Sequence, residues 1–228
     1  PHPRARLRAR TMSTETELAA WPHVYRPGIG PVLLMLHGTG SSEIEILRLA
    51  DEIDAAAAVI APRGQVTERG ALRWFRRLSE GVFDVNDVIR RASDLAQFVG
   101  WAVSEYELHD RRIVAVGFSN GANIALATGM LSPMLFDTTI AFSGMYPFAA
   151  RGIPQDLSIP RDLPTRRFVL LNGDGDAMAP TASVDRLVAE LTGTGADVTR
   201  HTRSGGHAIT TDELQVARAA YRAAAAHA

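Results

Sequence analysis

The chain has no cysteine among its 228 residues, so disulfides, thiolate metal sites and cysteine nucleophiles are excluded. It has no lysine either: all 24 basic residues are arginine. That removes Schiff-base chemistry, lysine-bound pyridoxal phosphate, serine–lysine dyads and the P-loop lysine. No apolar run approaches the roughly 18–20 residues of a membrane span, and no apolar signal core follows the opening "PHPRARLRAR". A net charge of -1 gives no electrostatic case for nucleic acid or an acidic membrane surface. His201 and His207 lack the further spaced ligands of a metal site, and no cofactor is expected.

What is present reads as one globular unit. The composition is 46% hydrophobic and 21% charged, enough to bury a substantial core. The arginine-rich start, residues 1–14, is expected to be a disordered tail or upstream sequence, and residues 15–228 a single domain. An Ala- and Arg-rich, Lys-free chain is also expected of a G+C-rich bacterial gene, and the location expected is cytoplasmic. Strand-like apolar runs at 31–38, 56–64, 113–116, 138–144, 166–176 and 196–207 alternate with helical patterns at 43–57, 85–106, 122–130, 181–194 and 211–226. This alternation predicts an α/β fold: a mostly parallel sheet with helices on both faces. Two connections, 62–84 and 145–165, are longer than the usual few residues. No large cap domain is expected.

The stretch "GFSNGANIAL" at 117–126 falls between strand and helix, with Gly117 and Gly121 flanking Ser119 as G-x-S-x-G. Such an elbow holds its serine in a strained turn where small neighbours let strand and helix approach. A serine nucleophile needs a base, an acid and an oxyanion site. In α/β-hydrolases these follow in the order Ser, Asp or Glu, His. Of seven histidines, His2 and His227 lie at the ends, His23 and His109 in expected surface connections, and His201 inside the last strand. His207 follows the turn "SGG" and can reach back over the sheet edge, so it is the candidate base. "LLNGDGDAMAP" offers Asp174 and Asp176 as the acid. Asp176 is preferred, while Asp174 is suited to binding backbone amides of the Gly-Asp-Gly turn. In "LHGTG" the N–H of Thr39, with that of Asn120 after the serine, forms the candidate oxyanion pair. His37 reads as a residue that positions this loop.

Together "LHGTGSSE", "APRG", "WFRR", "EGVFD", "GFSNGAN", "GDGDAMAP" and "GGH" resemble the phospholipase/carboxylesterase family of α/β-hydrolases, small bacterial carboxylesterases in particular. The resemblance runs from about residue 31 to the last helix. It implies an α/β-hydrolase fold and a serine carboxylesterase with Ser119, Asp176 and His207 as its triad. It implies small short- to medium-chain or aromatic esters as substrates. An acyl thioesterase or lysophospholipase would use the same residues, and a silent ligand-binding protein of the same fold is the alternative of another class. Ala179 stands where many relatives carry a β-branched residue, which leaves that corner smaller. Trp74, Phe75 and Phe83, with Met145 and Tyr146, are candidate pocket walls, and Arg63, Arg76 or Arg77 could meet a negative group. The expected partner is a small-molecule ester, with no nucleic acid and no membrane span; a homodimer is left open.

Overall fold

The structure, a computed structural model, describes residues 14–79, 81–148 and 166–226. In chain order its elements are α1 (Glu15–Ala19), β1 (His23–Arg26), β2 (Ile29–Leu36), α2 (Leu47–Asp54), β3 (Ala57–Pro62), β4 (Val66–Glu68), β5 (Ala71–Arg73), β6 (Arg77–Ser79), β7 (Val82–Phe83), α3 (Val85–Glu105), β8 (Ile113–Phe118), α4 (Asn120–Leu131), β9 (Thr138–Phe142), β10 (Arg167–Gly173), α5 (Thr181–Gly193), β11 (Asp197–Arg203) and α6 (Thr211–Ala226). Among the described residues, seven strands form one sheet in the order β1-β3-β2-β8-β9-β10-β11. All pair in parallel except β1, which runs antiparallel to β3 at the edge.

The inner strands β2, β3, β8, β9 and β10 have no solvent-facing side because both faces of the sheet are covered there. Along β2, Val32, Leu34 and Leu36 point to the core under α1, α3, α4 and α5, whereas Leu33 and Met35 point to the core under α2 and α6. The same alternation divides β3, with Ala58 and Ile60 on the first face and Val59 and Ala61 on the second. Asp84 caps α3 by accepting the Asp87 N–H at 3.2 Å. α4 carries little amphipathic contrast and buries nearly every residue from Asn120 to Met130, as a helix pressed between sheet and α3 must.

Several expected boundaries change. The helix expected over 43–57 is regular only from Leu47 to Asp54, residues 43–46 forming a turn. The helix at 181–194 includes Gly193 and is closed at Thr194. The 62–84 connection contains two small antiparallel hairpins, β4–β5 and β6–β7. His23 is not in a surface connection: it lies in β1, with Nδ1 against the Trp21 carbonyl and Nε2 against the Tyr106 hydroxyl, each at 2.5 Å. Of the expected tail, residues 1–13 lie outside the described residues, while Thr14 caps α1 in a capping box with Glu17. Residues 149–165, most of the second long connection, also lie outside the described residues. No described helix is long and apolar enough to cross a membrane.

Candidate active site

The carboxyl ends of β2, β8, β10 and β11 converge on one edge of the sheet, where open α/β sheets bind ligands. At the end of β8, Ser119 takes φ 55°, ψ -116°, a left-handed backbone that costs a non-glycine residue about 1–3 kcal/mol. The turn is possible because its flanks have no Cβ. One on Gly117 would lie 2.3 Å from the Gly121 carbonyl oxygen, and one on Gly121 would lie 1.9 Å from that of Leu36. Serine is a favoured helix N-cap, yet Ser119 at the N-cap of α4 makes no side-chain capping bond. Its Oγ lies instead 2.8 Å from His207 Nε2.

His207 Nδ1 lies 2.8 Å from Asp176 Oδ2, which fixes a tautomer with Nδ1–H donating and Nε2 accepting. The Asp176 carboxylate is fully buried, and its Oδ1 accepts the N–H groups of Met178 at 2.9 Å and Ala179 at 3.2 Å. Among the described residues, Asp174 binds no amide of its own turn in this way: its Oδ1 accepts the Gly205 N–H at 3.0 Å, tying β10 to the histidine loop. Two further residues hold that loop. Ser143, with φ 50° just beyond β9, donates its hydroxyl to the His207 carbonyl at 3.2 Å. Arg203 donates to the Ser204, Gly206 and Ala208 carbonyls and pairs with the buried Glu213 at 3.0 Å. A serine hydroxyl, an imidazole and a buried carboxylate so linked can remove the hydroxyl proton as it attacks a carbonyl.

The Asn120 N–H opens α4, where unpaired amides and the helix dipole favour negative charge. Thr39 lies across from it in the loop after β2, and both line a pocket with Ser119, Arg73, Arg77, Gly81, Phe83, Asn123 and Met178. His37 is buried at the root of the loop. Its Nδ1–H donates to the Gly38 carbonyl at 2.8 Å and its Nε2 accepts the Gly64 N–H at 2.9 Å. Burial holds its pKa below the usual 6.5, so it stays neutral and supports the loop.

A model of the phospholipase/carboxylesterase family matches residues 29–223. The chain belongs to that family. MhqD of Bacillus subtilis (strain 168) is 33% identical over 203 residues, covering 89% of this chain and 98% of that protein. The crystal structure of the Bacillus cereus carboxylesterase superposes with a TM-score of 0.82 at 34% identity, covering 93% of this chain and 100% of that one. The protein Atu2452 of Agrobacterium tumefaciens str. C58 gives 0.78 at 30% identity, covering 90% and 98%. The fold is the α/β-hydrolase fold, without a large cap among the described residues.

Within this family member, the five residues expected at the substrate pocket all belong to one buried cluster. Phe83 lines the pocket beside Ser119. Trp74, Phe75, Met145 and Tyr146 are buried in the core on the α3–α4 side of the sheet, and Arg186 lies 4.2 Å over the Tyr146 ring. Arg63 is bonded to Glu43, Arg76 to Asp84 and Arg77 to Glu68. Asn123 and Met178 at the pocket, and Arg203 with Glu213 behind His207, escaped the sequence reading. The "TTDE" run after the histidine did carry a signal for Glu213: Thr210 and Glu213 form a capping box, Thr-x-x-Glu.

Proposed function

We propose that this chain is a serine carboxylesterase that hydrolyses small carboxylic esters through an acyl-enzyme on Ser119. The observation that carries the reading is the unbroken chain of two 2.8 Å contacts from Ser119 Oγ through His207 to the buried Asp176. Ser119 Oγ attacks the ester carbonyl while His207 Nε2 takes its proton. The oxyanion forms between the Thr39 and Asn120 amides. Collapse breaks the C–O bond to the alcohol, which leaves with the proton from His207. Water then repeats the sequence: His207 takes its proton, its oxygen attacks the acyl carbon, and the acid departs as Ser119 regains its hydrogen. Asp176 keeps the imidazole in the required tautomer and stabilises its cationic form.

The pocket beside Ser119 is small, about 40 Å³, and walled by Arg73, Arg77, Gly81, Phe83 and Met178, which favours short and medium acyl groups. A panel of p-nitrophenyl esters from acetate to laurate, with acyl thioesters and lysolipids beside them, tests the assignment. We expect a pre-steady-state burst of nitrophenol with acetate, absent in Ser119→Ala, and highest kcat/KM below about eight acyl carbons. Faster turnover of thioesters or lysolipids would move the reading to a thioesterase or lysophospholipase. Turnover by none of them would favour a silent ligand-binding protein.

A further inference from the structure

We propose that Leu72, Arg73 and Trp74 act as one clamp that sets the spacing of the two oxyanion amides, with Arg73 and Trp74 as positioning residues. The proposal rests on the esterase reading above and adds to it residues outside the Ser119–His207–Asp176 chain, of which Arg73 also lines the pocket.

The loop that carries Thr39 has few contacts of its own beyond His37 on the Gly38 carbonyl and the Ser41 N–H, which donates to that same carbonyl at 3.2 Å. Glycines flank it on both sides, and Gly40 has φ +80°, so its backbone has wide conformational freedom. An oxyanion donor is useful only when it is fixed about 2.7–3.1 Å from where the oxyanion will sit. The fixing comes from the end of the β4–β5 hairpin. The Gly40 N–H donates to the Leu72 carbonyl at 2.9 Å. Arg73 Nη1 donates to Thr39 Oγ1 at 3.0 Å, and Trp74 Nε1 donates to the His37 carbonyl at 2.8 Å. The stretch 37–40 is therefore held at three points by three consecutive residues.

The same segment holds the other arm. The Trp74 backbone N–H donates to Asn120 Oδ1 at 2.7 Å, so the residue that offers the second amide is tied to the residue that ties the first. The segment is itself well anchored. Arg73 and Trp74 are 4% and 2% exposed, and Arg73 Nε lies 3.3 Å from Glu68 across the hairpin. The distance between the two amides is thus set by a buried body that spans both, rather than by either loop. This also accounts for Trp74: both of its N–H donors are spent on the site's frame, and its ring lies 5.3 Å from that of His37.

The test is Trp74→Phe, which keeps an aromatic ring and removes the Nε1 donor, with Thr39→Val, which keeps the shape and the amide but removes the oxygen that Arg73 holds. Active sites are counted by fluorophosphonate titration. We then measure kcat and KM for a short p-nitrophenyl ester, and the affinity of a trifluoromethyl ketone, whose adduct places an oxyanion in the hole. Expected is a fall in kcat per active site of about 10–100-fold for Trp74→Phe and a smaller one for Thr39→Val, with KM within about threefold. Ketone affinity should fall in proportion to kcat/KM.

A merely structural role would lower the melting temperature and leave kcat per titrated site and ketone affinity at wild-type values; that result overturns the clamp alone. If Trp74→Phe does not fold, Thr39→Val, at an exposed residue, carries the test on the same readouts. A wild type that neither reacts with the fluorophosphonate nor turns over the ester overturns the esterase reading and the clamp with it.

Discussion

Gly121→Ala adds one methyl group where the sheet and α4 meet, and its consequence can be worked from distances. The new Cβ would lie 1.9 Å from the Leu36 carbonyl oxygen, 2.5 Å from the Leu36 carbonyl carbon and 2.6 Å from the His37 oxygen, whereas ordinary contact begins at 3.4 Å. Relief along the shortest line needs about 1.5 Å (3.4 minus 1.9) of separation between two pieces of backbone. Neither can yield freely, because β2 is bonded between β3 and β8 and α4 is buried along its length. Overpacking of this kind costs about 1–3 kcal/mol, occasionally more, and the absence of a flexible partner puts this site at the upper end. At about 2–4 °C per kcal/mol for a chain of this size, the melting temperature should fall by roughly 6–12 °C.

Function should suffer more than stability. Ser119 and the Asn120 amide ride on the displaced turn, and a misplacement of about 1 Å costs on the order of 10²-fold in rate. Gly100→Ala is the matched control. It is the same substitution in the middle of α3, with no atom within 4 Å of the added Cβ. It should stabilise by about 0.8–1 kcal/mol and leave turnover unchanged. Calorimetry and ester turnover per titrated site, measured on both variants, decide the matter. Gly121→Ala with wild-type melting and turnover would refute the close-approach argument.

Three further outcomes are expected. The His37 pKa is lowered by burial from 6.5, so neutral His37 contributes stability that is complete above about pH 6.5 and is lost as pH falls through the lower folded-state value; His37→Gln, whose amide oxygen can accept the Gly64 N–H, should flatten that part of the stability–pH curve. For Asp87, burial pushes the pKa up, but the Arg76 N–H and the Arg90 and Arg91 guanidiniums outweigh it and hold the carboxyl below 3.8. Asp87→Asn should therefore cost about 1.5–3 kcal/mol at neutral pH, measured by urea unfolding, and the deficit should shrink as pH falls through the folded-state pKa, where wild-type Asp87 also loses its charge. Glu213→Gln removes the buried charge against which Arg203 gathers the carbonyls around His207. It should lower kcat by about 3–10-fold with little change in KM, and steady-state kinetics showing the reverse split would contradict that role.

The parts of the fold that could be read from sequence are those where burial alone decides the pattern. β2, β3, β8, β9 and β10 are covered on both faces and appear as apolar runs. β11 is an edge strand of mixed polarity, with no apolar run to mark it. β1 was missed because every residue of this edge strand is half-buried, which leaves no alternation to detect. The hairpins β4–β5 and β6–β7 are two or three residues per strand, too short for a period to show. α1 could have been read from its Thr14-x-x-Glu17 capping box. At the site, chain order and glycine placement point to Ser119 and His207, while the preference for Asp176 over Asp174 comes from its place in the turn. Asp174 and Asp176 are two residues apart in one turn, and only the backbone path separates an oxygen on His207 from one on Gly205. Trp74 reads from sequence only as an aromatic in a long loop. Its two N–H bonds span 37 and 46 residues of sequence, a range at which no local pattern operates.

The measurement that bears most directly on the central claim is intact-mass analysis after brief exposure to a fluorophosphonate, on wild type, Ser119→Ala and His207→Ala. A serine activated by His207 and Asp176 predicts rapid addition of a single adduct to the wild type, none to Ser119→Ala, and slowing by about 10³-fold or more in His207→Ala. A folded wild type that stays unmodified, or one labelled equally fast without Ser119 or without His207, would contradict the account.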